Sequence, residues 1–143
     1  MTVRSAAAGD AARIAELSAQ LGYPVTAGEV NGRLEAIRGM ENHEFSVASL
    51  PGGEIVGWVH LYVRRVVMSD PMVEVDGLVV DERHRRTGIG RRLMDHAEEW
   101  ARKRGIGSVN LRSNEIRKGA HAFYERLGYE LAKRQTVFRK VIR

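Results

Sequence analysis

Glu74 and Asp76 stand two residues apart inside an apolar run, Met72 to Val80. The run reads as a strand, and alternate residues of a strand share a face. That places Val73, Val75, Gly77 and Val79 on one face, as core. Met72, Glu74, Asp76, Leu78 and Val80 take the other, with the two acids ~6–7 Å apart. A β-bulge would shift this parity. The pair suits a wet cleft. Carboxylates there attract a cation or accept a proton, and close like charges raise the pKa of one of them toward neutrality. Two solvated strand carboxylates are the plainer alternative.

The chain changes character after Val80. Arg83, Arg85, Arg86, Arg91 and Arg92 surround Gly88 and Gly90. Ile89, Leu93, Met94, Ala97, Trp100 and Ala101 then recur at helical spacing. Arg102, Lys103 and Arg104 suit the last turn, and Gly105 stops the helix. The first turn breaks a rule. A helix start carries partial positive charge and prefers Asp or Glu, but here it is ringed by arginines. A rule broken at one end of a well-written helix points to function, and the missing partner is an anion. Free N–H groups, glycines and guanidinium groups together make a phosphate cradle. No third glycine completes G-x-G-x-x-G, and no Lys-Ser or Lys-Thr follows as a P-loop requires.

Arg85-x-x-Gly88-x-Gly90 resembles the acetyl-CoA-binding motif of the GNAT N-acetyltransferase superfamily, (Arg/Gln)-x-x-Gly-x-(Gly/Ala). Ala120 to Tyr129 resembles its second signature, Ala-x-x-(Phe/Leu)-Tyr-x-x-x-Gly-(Phe/Tyr), through Ala120, Phe123, Tyr124, Gly128 and Tyr129. The resemblance implies that Arg85, Arg86, Thr87, Gly88, Ile89, Gly90 and Arg91 hold the CoA pyrophosphate. It implies that the pantetheine arm bonds to the backbone of Leu78, Val79 and Val80. Glu74 matches a base position used by some members, with Asp76 second. Tyr124 matches the tyrosine placed near the CoA sulfur as general acid. Many members carry Asn seven residues before that tyrosine to bond the pantetheine. Here the position is Arg117, and Arg117 or Ser113 takes over the contact.

Those roles fit the chemistry of acetyl transfer to an amine. A lysine-like amine has a pKa near 10.4, so freeing its lone pair at pH 7 costs about 4–5 kcal/mol. A carboxylate base lowers that barrier. A tyrosine of pKa ~10 is a weaker acid than a thiol of pKa ~8.5, so a hydrogen bond to the departing thiolate is its main contribution.

The remaining elements must position these groups. Thr2 to Arg4 reads as a strand. Asp10 caps a helix carrying Ile14, Leu17, Ser18 and Leu21, which stops at Gly22. Thr26 and Glu29 form a capping box for a second helix with Val30, Leu34 and Ile37, closed by Gly39. Glu44 to Leu50 and Ile55 to Val63 flank the turn Pro51-Gly52-Gly53. Met68 to Pro71 reads as a loop. Val109 to Leu111 is a strand and Arg117 to Leu127 a helix. Tyr129 to Ala132 and Thr136 to Val141 read as final strands. The order β-α-α-β-β-β-α-β-α-β-β is the GNAT order. It implies an α/β fold over 1–143, one domain with a mostly antiparallel mixed sheet of about seven strands and four helices.

The 143 residues are 43% hydrophobic and carry a net charge of +5, with no cysteine. The composition is globular. Without cysteine there is no disulfide, thiolate metal site or acetyl-cysteine intermediate, so transfer is direct, in a ternary complex. No H-E-x-x-H pattern appears among the five histidines, and no metal is expected. No run reaches the ~20 apolar residues of a membrane span, and no signal-peptide pattern is present. These features lead us to expect a cytoplasmic enzyme. Its partners are acetyl-CoA and an amine: a small metabolite or antibiotic, or a protein lysine or N-terminus. No nucleic acid is expected, and the resemblance allows a homodimer. A non-catalytic acyl-CoA-binding regulatory module is the rival reading. It would keep the cradle and not need Tyr124 or Glu74.

Overall fold

The computed structural model describes residues 1–112 and 118–143. The chain forms two compact units, Met1–Arg112 and Ser113–Arg143. The first holds a five-stranded sheet whose strands lie in sequence order. They are β1 (Thr2–Ser5), β2 (His43–Ser49), β3 (Ile55–Val66), β4 (Ser69–Val80) and β5 (Val109–Leu111). All neighbours are antiparallel except β4 and β5, which run parallel. Its helices are α1 (Ala11–Gln20), α2 (Ala27–Ile37) and α3 (Ile89–Lys103).

Local chemistry explains the helices. Thr26 Oγ1 accepts from the Glu29 N–H at 3.0 Å, and Glu29 Oε1 accepts from the Thr26 N–H at 3.0 Å, a complete capping box for α2. Gly39, at φ 83°, takes the left-handed position just past the end of α2. Asp10 precedes α1 without a side-chain cap and instead accepts from the Ala7 N–H and pairs with Arg4. The buried stripe of α3 is Ile89, Leu93, Met94, Ala97, Trp100 and Ala101, the set its spacing predicts.

The helices cover opposite faces of the sheet. Ala11, Ile14 and Leu17 of α1 and Val30 and Leu34 of α2 join Val47, Ile55 and Val79 in one core cluster. On the other face α3 comes down on Gly57. A Cβ there would lie 2.9 Å from the Val79 carbonyl oxygen, 3.2 Å from Leu93 and 3.3 Å from Ile89. Alternation from Gly57 puts the buried Val59, Leu61 and Val63 on the α3 face, with Val73 and Val75 opposite the last two.

Three expectations change. Met68 to Pro71 is not a loop: Val66 pairs with Ser69, so only Val67 and Met68 turn the chain. A two-residue connection is the common hairpin solution. The ladder slips between Arg64 and Val66, beside Pro71, which has no N–H to donate.

The second change is the parity of β4. His60 pairs with Gly77 but Leu61 pairs with Val75, so Asp76 is an extra residue, a bulge. Met72, Glu74, Gly77 and Val79 therefore share the α1–α2 face, opposite Arg64, Tyr62, His60 and Trp58. Val73, Val75, Leu78 and Val80 share the other. The two acids are not a solvated pair on one face: Glu74 is 2% exposed, whereas the Asp76 side chain is 62% exposed.

The third change lies in the second unit. It contains α4 (Lys118–Arg126), and residues 129–143 form neither helix nor strand. The described sheet thus has five strands rather than about seven. A strand exists through its ladder, and neither segment expected as a final strand has one. Leu131, Val137 and Phe138 are 69%, 80% and 91% exposed, without the burial that would hold a strand in place.

Gly57→Ala should cost about 1–3 kcal/mol by overpacking, read as a lower urea midpoint. An unchanged midpoint would show that α3 is not seated on this residue.

Candidate active site

The loop between β4 and α3 begins with a buried carboxylate. The Asp81 side chain is 0% exposed. It accepts from Arg13 Nη2 at 2.6 Å, Gln20 Nε2 at 3.3 Å and the Arg83 N–H at 3.1 Å. Gln20 Oε1 accepts in turn from the Glu82 N–H at 2.9 Å. Arg13 also donates from Nε to the Ile55 carbonyl at 2.9 Å. Two residues about two helical turns apart on α1 thus clamp the start of the loop. Burial pushes the Asp81 carboxyl up, but the hydrogen bonds from Arg83, Arg13 and Gln20 outweigh it and hold it well below the usual carboxylate range.

Beyond this anchor the loop is built for close approach. A 3-10 turn spans Glu82–His84. Arg86 is in the left-handed region at φ 64°, where a non-glycine residue is uncommon. Gly88, at φ 85°, is the N-cap of α3 and offers no side-chain cap, and the first turn has no acid. Arg92 is the first to donate back, to the Gly88 carbonyl at 3.0 Å. The N–H groups at the helix start therefore lack the side-chain acceptor that usually meets them. Arg85, Arg86, Thr87, Gly88 and Arg91 are exposed around them, Gly90 is half-buried, and Ile89 anchors the turn in the core. An anion fits this arrangement of dipole, N–H groups and guanidinium groups.

β4 leads straight into this loop. Its parallel pairing with β5 ends at Val75–Leu111, while its pairing with β3 continues to Val80. From Asp76 to Val80, including Leu78 and Val79, the edge facing away from β3 has no strand beside it among the described residues. Glu74 sits where β5 still pairs, opposite Asn110. Its Oε1 is buried without a hydrogen-bond partner, and the nearest cation, Arg112, is 3.8 Å away. A buried acceptor left unpaired is costly.

One group of residues was invisible in the sequence. His43, His60 and Asp76 stand on β2, β3 and β4 of the α1–α2 side. His43 Nδ1 lies 3.1 Å from His60 Nε2. His60 Nδ1 lies 3.5 Å from Asp76 Oδ2. The rings of His43 and His60 stack at 5.4 Å, and Tyr62 stacks on His43 at 5.6 Å. Interaction with His60 holds the Asp76 carboxyl below its ordinary range against the opposing effect of burial. Only the ladder register brings these residues together, and the bulge re-aims Asp76. Among the described residues no group of three potential ligands gathers as a metal site. No helix of the described residues is long and apolar enough to cross a membrane.

Tyr124 lies on α4, in the second unit. It is half-buried, edge-on to Phe123 at 5.0 Å and to Tyr129 at 6.2 Å. Burial pushes its hydroxyl pKa up. Ser113 and Arg117, expected at the pantetheine, lie outside the described residues.

The chain belongs to the acetyltransferase (GNAT) family, whose model matches residues 15–129. An uncharacterized N-acetyltransferase of Bacillus subtilis is 34% identical over 95 residues, 66% of this chain and 57% of that protein. The aminoalkylphosphonate N-acetyltransferase of Salmonella typhimurium is 36% identical over 83 residues, 57% of this chain and 54% of the relative. The chain thus matches just over half the length of each of these two relatives. Among solved structures, a Trypanosoma brucei acetyltransferase superposes with a TM-score of 0.81 at 25% identity, covering 97% of this chain and 99% of that one. An aminoglycoside N-acetyltransferase bound to a CoA bisubstrate analogue gives 0.84 at 18% identity, over 99% and 98%.

Asp81→Asn should cost about 2–3 kcal/mol, because charge-assisted bonds are lost while Arg13 is left facing a neutral amide. The folded pKa of Asp81 is depressed, so its contribution is complete above about pH 4 and declines as pH falls below that. The gap between the denaturant midpoints of wild type and variant should therefore narrow, without closing, between pH 7 and pH 3. A constant gap down to pH 3 would refute this account of the anchor.

Proposed function

We propose that the protein transfers an acetyl group from acetyl-CoA directly to a primary amine within a ternary complex, and that residues 1–143 act as one acetyltransferase domain. The observation that carries the reading is the course of β4. The strand presents a buried carboxylate at Glu74 whose Oε1 accepts no hydrogen bond, then runs into a helix start with neither cap nor acid. Family membership and the CoA complex among the structural neighbours support acyl-CoA as donor. The match over 15–129 crosses both units and supports the single domain.

In this reading the N–H groups and guanidinium groups from Arg85 to Arg91 hold the pyrophosphate. The backbone of Leu78 to Val80 takes the pantetheine as a substitute strand, with Ser113 or Arg117 as a further contact. Asp76, exposed and ionised, attracts the ammonium form of the acceptor. Glu74 accepts a proton from nitrogen as the C–N bond forms and the C–S bond breaks. Tyr124, kept protonated by burial, donates a hydrogen bond to the departing thiolate. The enzyme acts in the cytoplasm without a metal.

The acceptor panel follows from the relatives: an aminoalkylphosphonate, an aminoglycoside, glucosamine 6-phosphate and a lysine peptide, each followed by thiol release. Acetyl-CoA at ~100 times its Kd should add about 2.7 kcal/mol of stability, a rise of several degrees in Tm. Absence of any rise would overturn the donor assignment. Glu74→Gln should lower kcat/KM by roughly 10²–10⁴ with the Kd for acetyl-CoA unchanged. Tyr124→Phe should lower kcat and also spare binding. Wild-type turnover in both variants would remove these catalytic roles, whereas acetyl-CoA binding without turnover of any amine by the wild-type chain would leave the regulatory-module reading.

A further inference from the structure

Acetylation of an ammonium substrate releases a proton for every turnover, and Glu74, buried at 2% exposure, has poor access to the water that must take it up. The three polar groups on adjacent strands supply a route. We propose that His60 and His43 form the proton exit of the acceptor site, carrying the proton from the β4 bulge across β3 and β2 into a cleft at the end of α2. This inference rests on the acetyltransferase reading and concerns the same site.

The geometry sets the direction. Asp76 Oδ2 and His60 Nδ1 are 3.5 Å apart. Both face the bulge, and when the His60 proton is on Nε2 both present lone pairs to an ammonium group entering there. Two protons leave the nitrogen of an ammonium substrate: His60 Nδ1 takes the first, as the ammonium becomes the neutral amine, and Glu74 takes the second, as the C–N bond forms. His60 Nε2–H then passes its own proton to His43 Nδ1, 3.1 Å away, and His43 Nε2–H releases one to water. After one transfer both rings hold the opposite tautomer, and a ring flip or exchange with water resets them. The protons balance: of the two that leave nitrogen, one enters solvent through the imidazoles and the other ends on the CoA thiol.

The exit end is open. His43 lines a cleft of about 350 Å³ together with Leu34, Ile37, Met40 and Phe45. Burial and the neighbouring His60 push the His43 imidazole below the usual histidine range, with Asp76 partly opposing them. A protonated His43 therefore gives its proton up readily at neutral pH. The charges around the path are Asp76, Glu74 and Arg112 on the bulge side and Arg38, Glu41, Glu44 and Arg104 around the cleft. Stacking of His43 on both His60 and Tyr62 holds its ring in line.

The test uses the full chain, acetyl-CoA and the panel amine that turns over fastest, in weak buffer. His43→Gln and His60→Gln should each lower kcat roughly ten- to hundredfold and leave the KM for acetyl-CoA unchanged. Both should alter the histidine-type limb of the kcat–pH profile. Added imidazole should restore much of the His43→Gln activity in proportion to its concentration, which a merely structural defect would not allow. His43→Asn serves if the glutamine variant does not fold. Wild-type kcat and pH limb in both variants would overturn the relay. So would a loss, in a folded variant that binds acetyl-CoA, that imidazole does not repair. If the wild-type chain acetylates no amine at all, the acetyltransferase reading falls and takes the relay with it. Turnover with an unaltered profile removes the relay alone.

Discussion

The first unit depends on one carboxylate that no water touches. Asp81 stands where β4 stops, and its oxygens are met by residues from both ends of α1 and by the loop itself. Removing a charge from water is expensive and is repaid only when every lone pair finds a donor. Arg13, Gln20 and the Arg83 N–H meet that demand, so the loop can leave the strand in only one direction. Arg13 also holds the Ile55 carbonyl, and the Asp81 N–H donates to the Val56 carbonyl at 2.8 Å. Helix, hairpin and loop are thereby tied at one point. With that end fixed, the loop can place Arg86 in a left-handed conformation and leave the start of α3 uncapped, both unfavourable in isolation. The local instability sits beside a buried, fully bonded anchor.

The bulge at Asp76 is the second constraint, and it divides two carboxylates that a regular strand would have made alike. Without it, Glu74 and Val79 would point to opposite faces. With it, both face α1 and α2, and Asp76 is turned out toward His60 and water. One acid becomes a buried acceptor and the other an exposed charge. The proposed acceptor, an ammonium ion, would use both: a charge to draw it in from water, and a base to take a proton as a bond forms. Two identical solvated acids would attract the substrate but leave its nitrogen protonated.

The sequence showed most of what periodicity and caps control. The α3 stripe, the Thr26–Glu29 box and the strand at Val109 to Leu111 were all legible because each is a local pattern. The Arg85–Gly90 loop was legible for another reason. Arginines at a helix start contradict the dipole, and a contradiction is a signal. What stayed hidden depends on register. A bulge adds one residue without any mark in the composition, so the parity of Glu74 against Val79 was misread. His43 and His60 are seventeen residues apart, and nothing in either neighbourhood pairs them until β2 and β3 lie side by side. The two final strands failed in the opposite way: alternating apolar residues from Thr136 to Val141 satisfy the strand pattern, but a pattern does not supply a partner.

The layout of the site also separates affinity from chemistry. The anion cradle is made of backbone N–H groups and exposed guanidinium groups at the start of α3. In the proposed reading it would hold the donor's phosphates wherever the reactive end happens to be. Interactions of that kind bind ground state and transition state alike, so they lower KM without raising kcat. Rate enhancement must come from groups that meet charge only as it moves. In the acetyl-transfer mechanism proposed above, those on β4 are Glu74 and, through the bulge, the imidazole pair behind Asp76. The cradle lies on the side of the sheet that α3 packs against, and the acids and histidines on the side that α1 and α2 cover. β4 is the element common to both, with its free edge between them. A substrate reaching from one to the other must pass along that edge. Under that proposal, the five residues of β4 that extend without a second neighbour in the described sheet are the segment along which the substrate would lie.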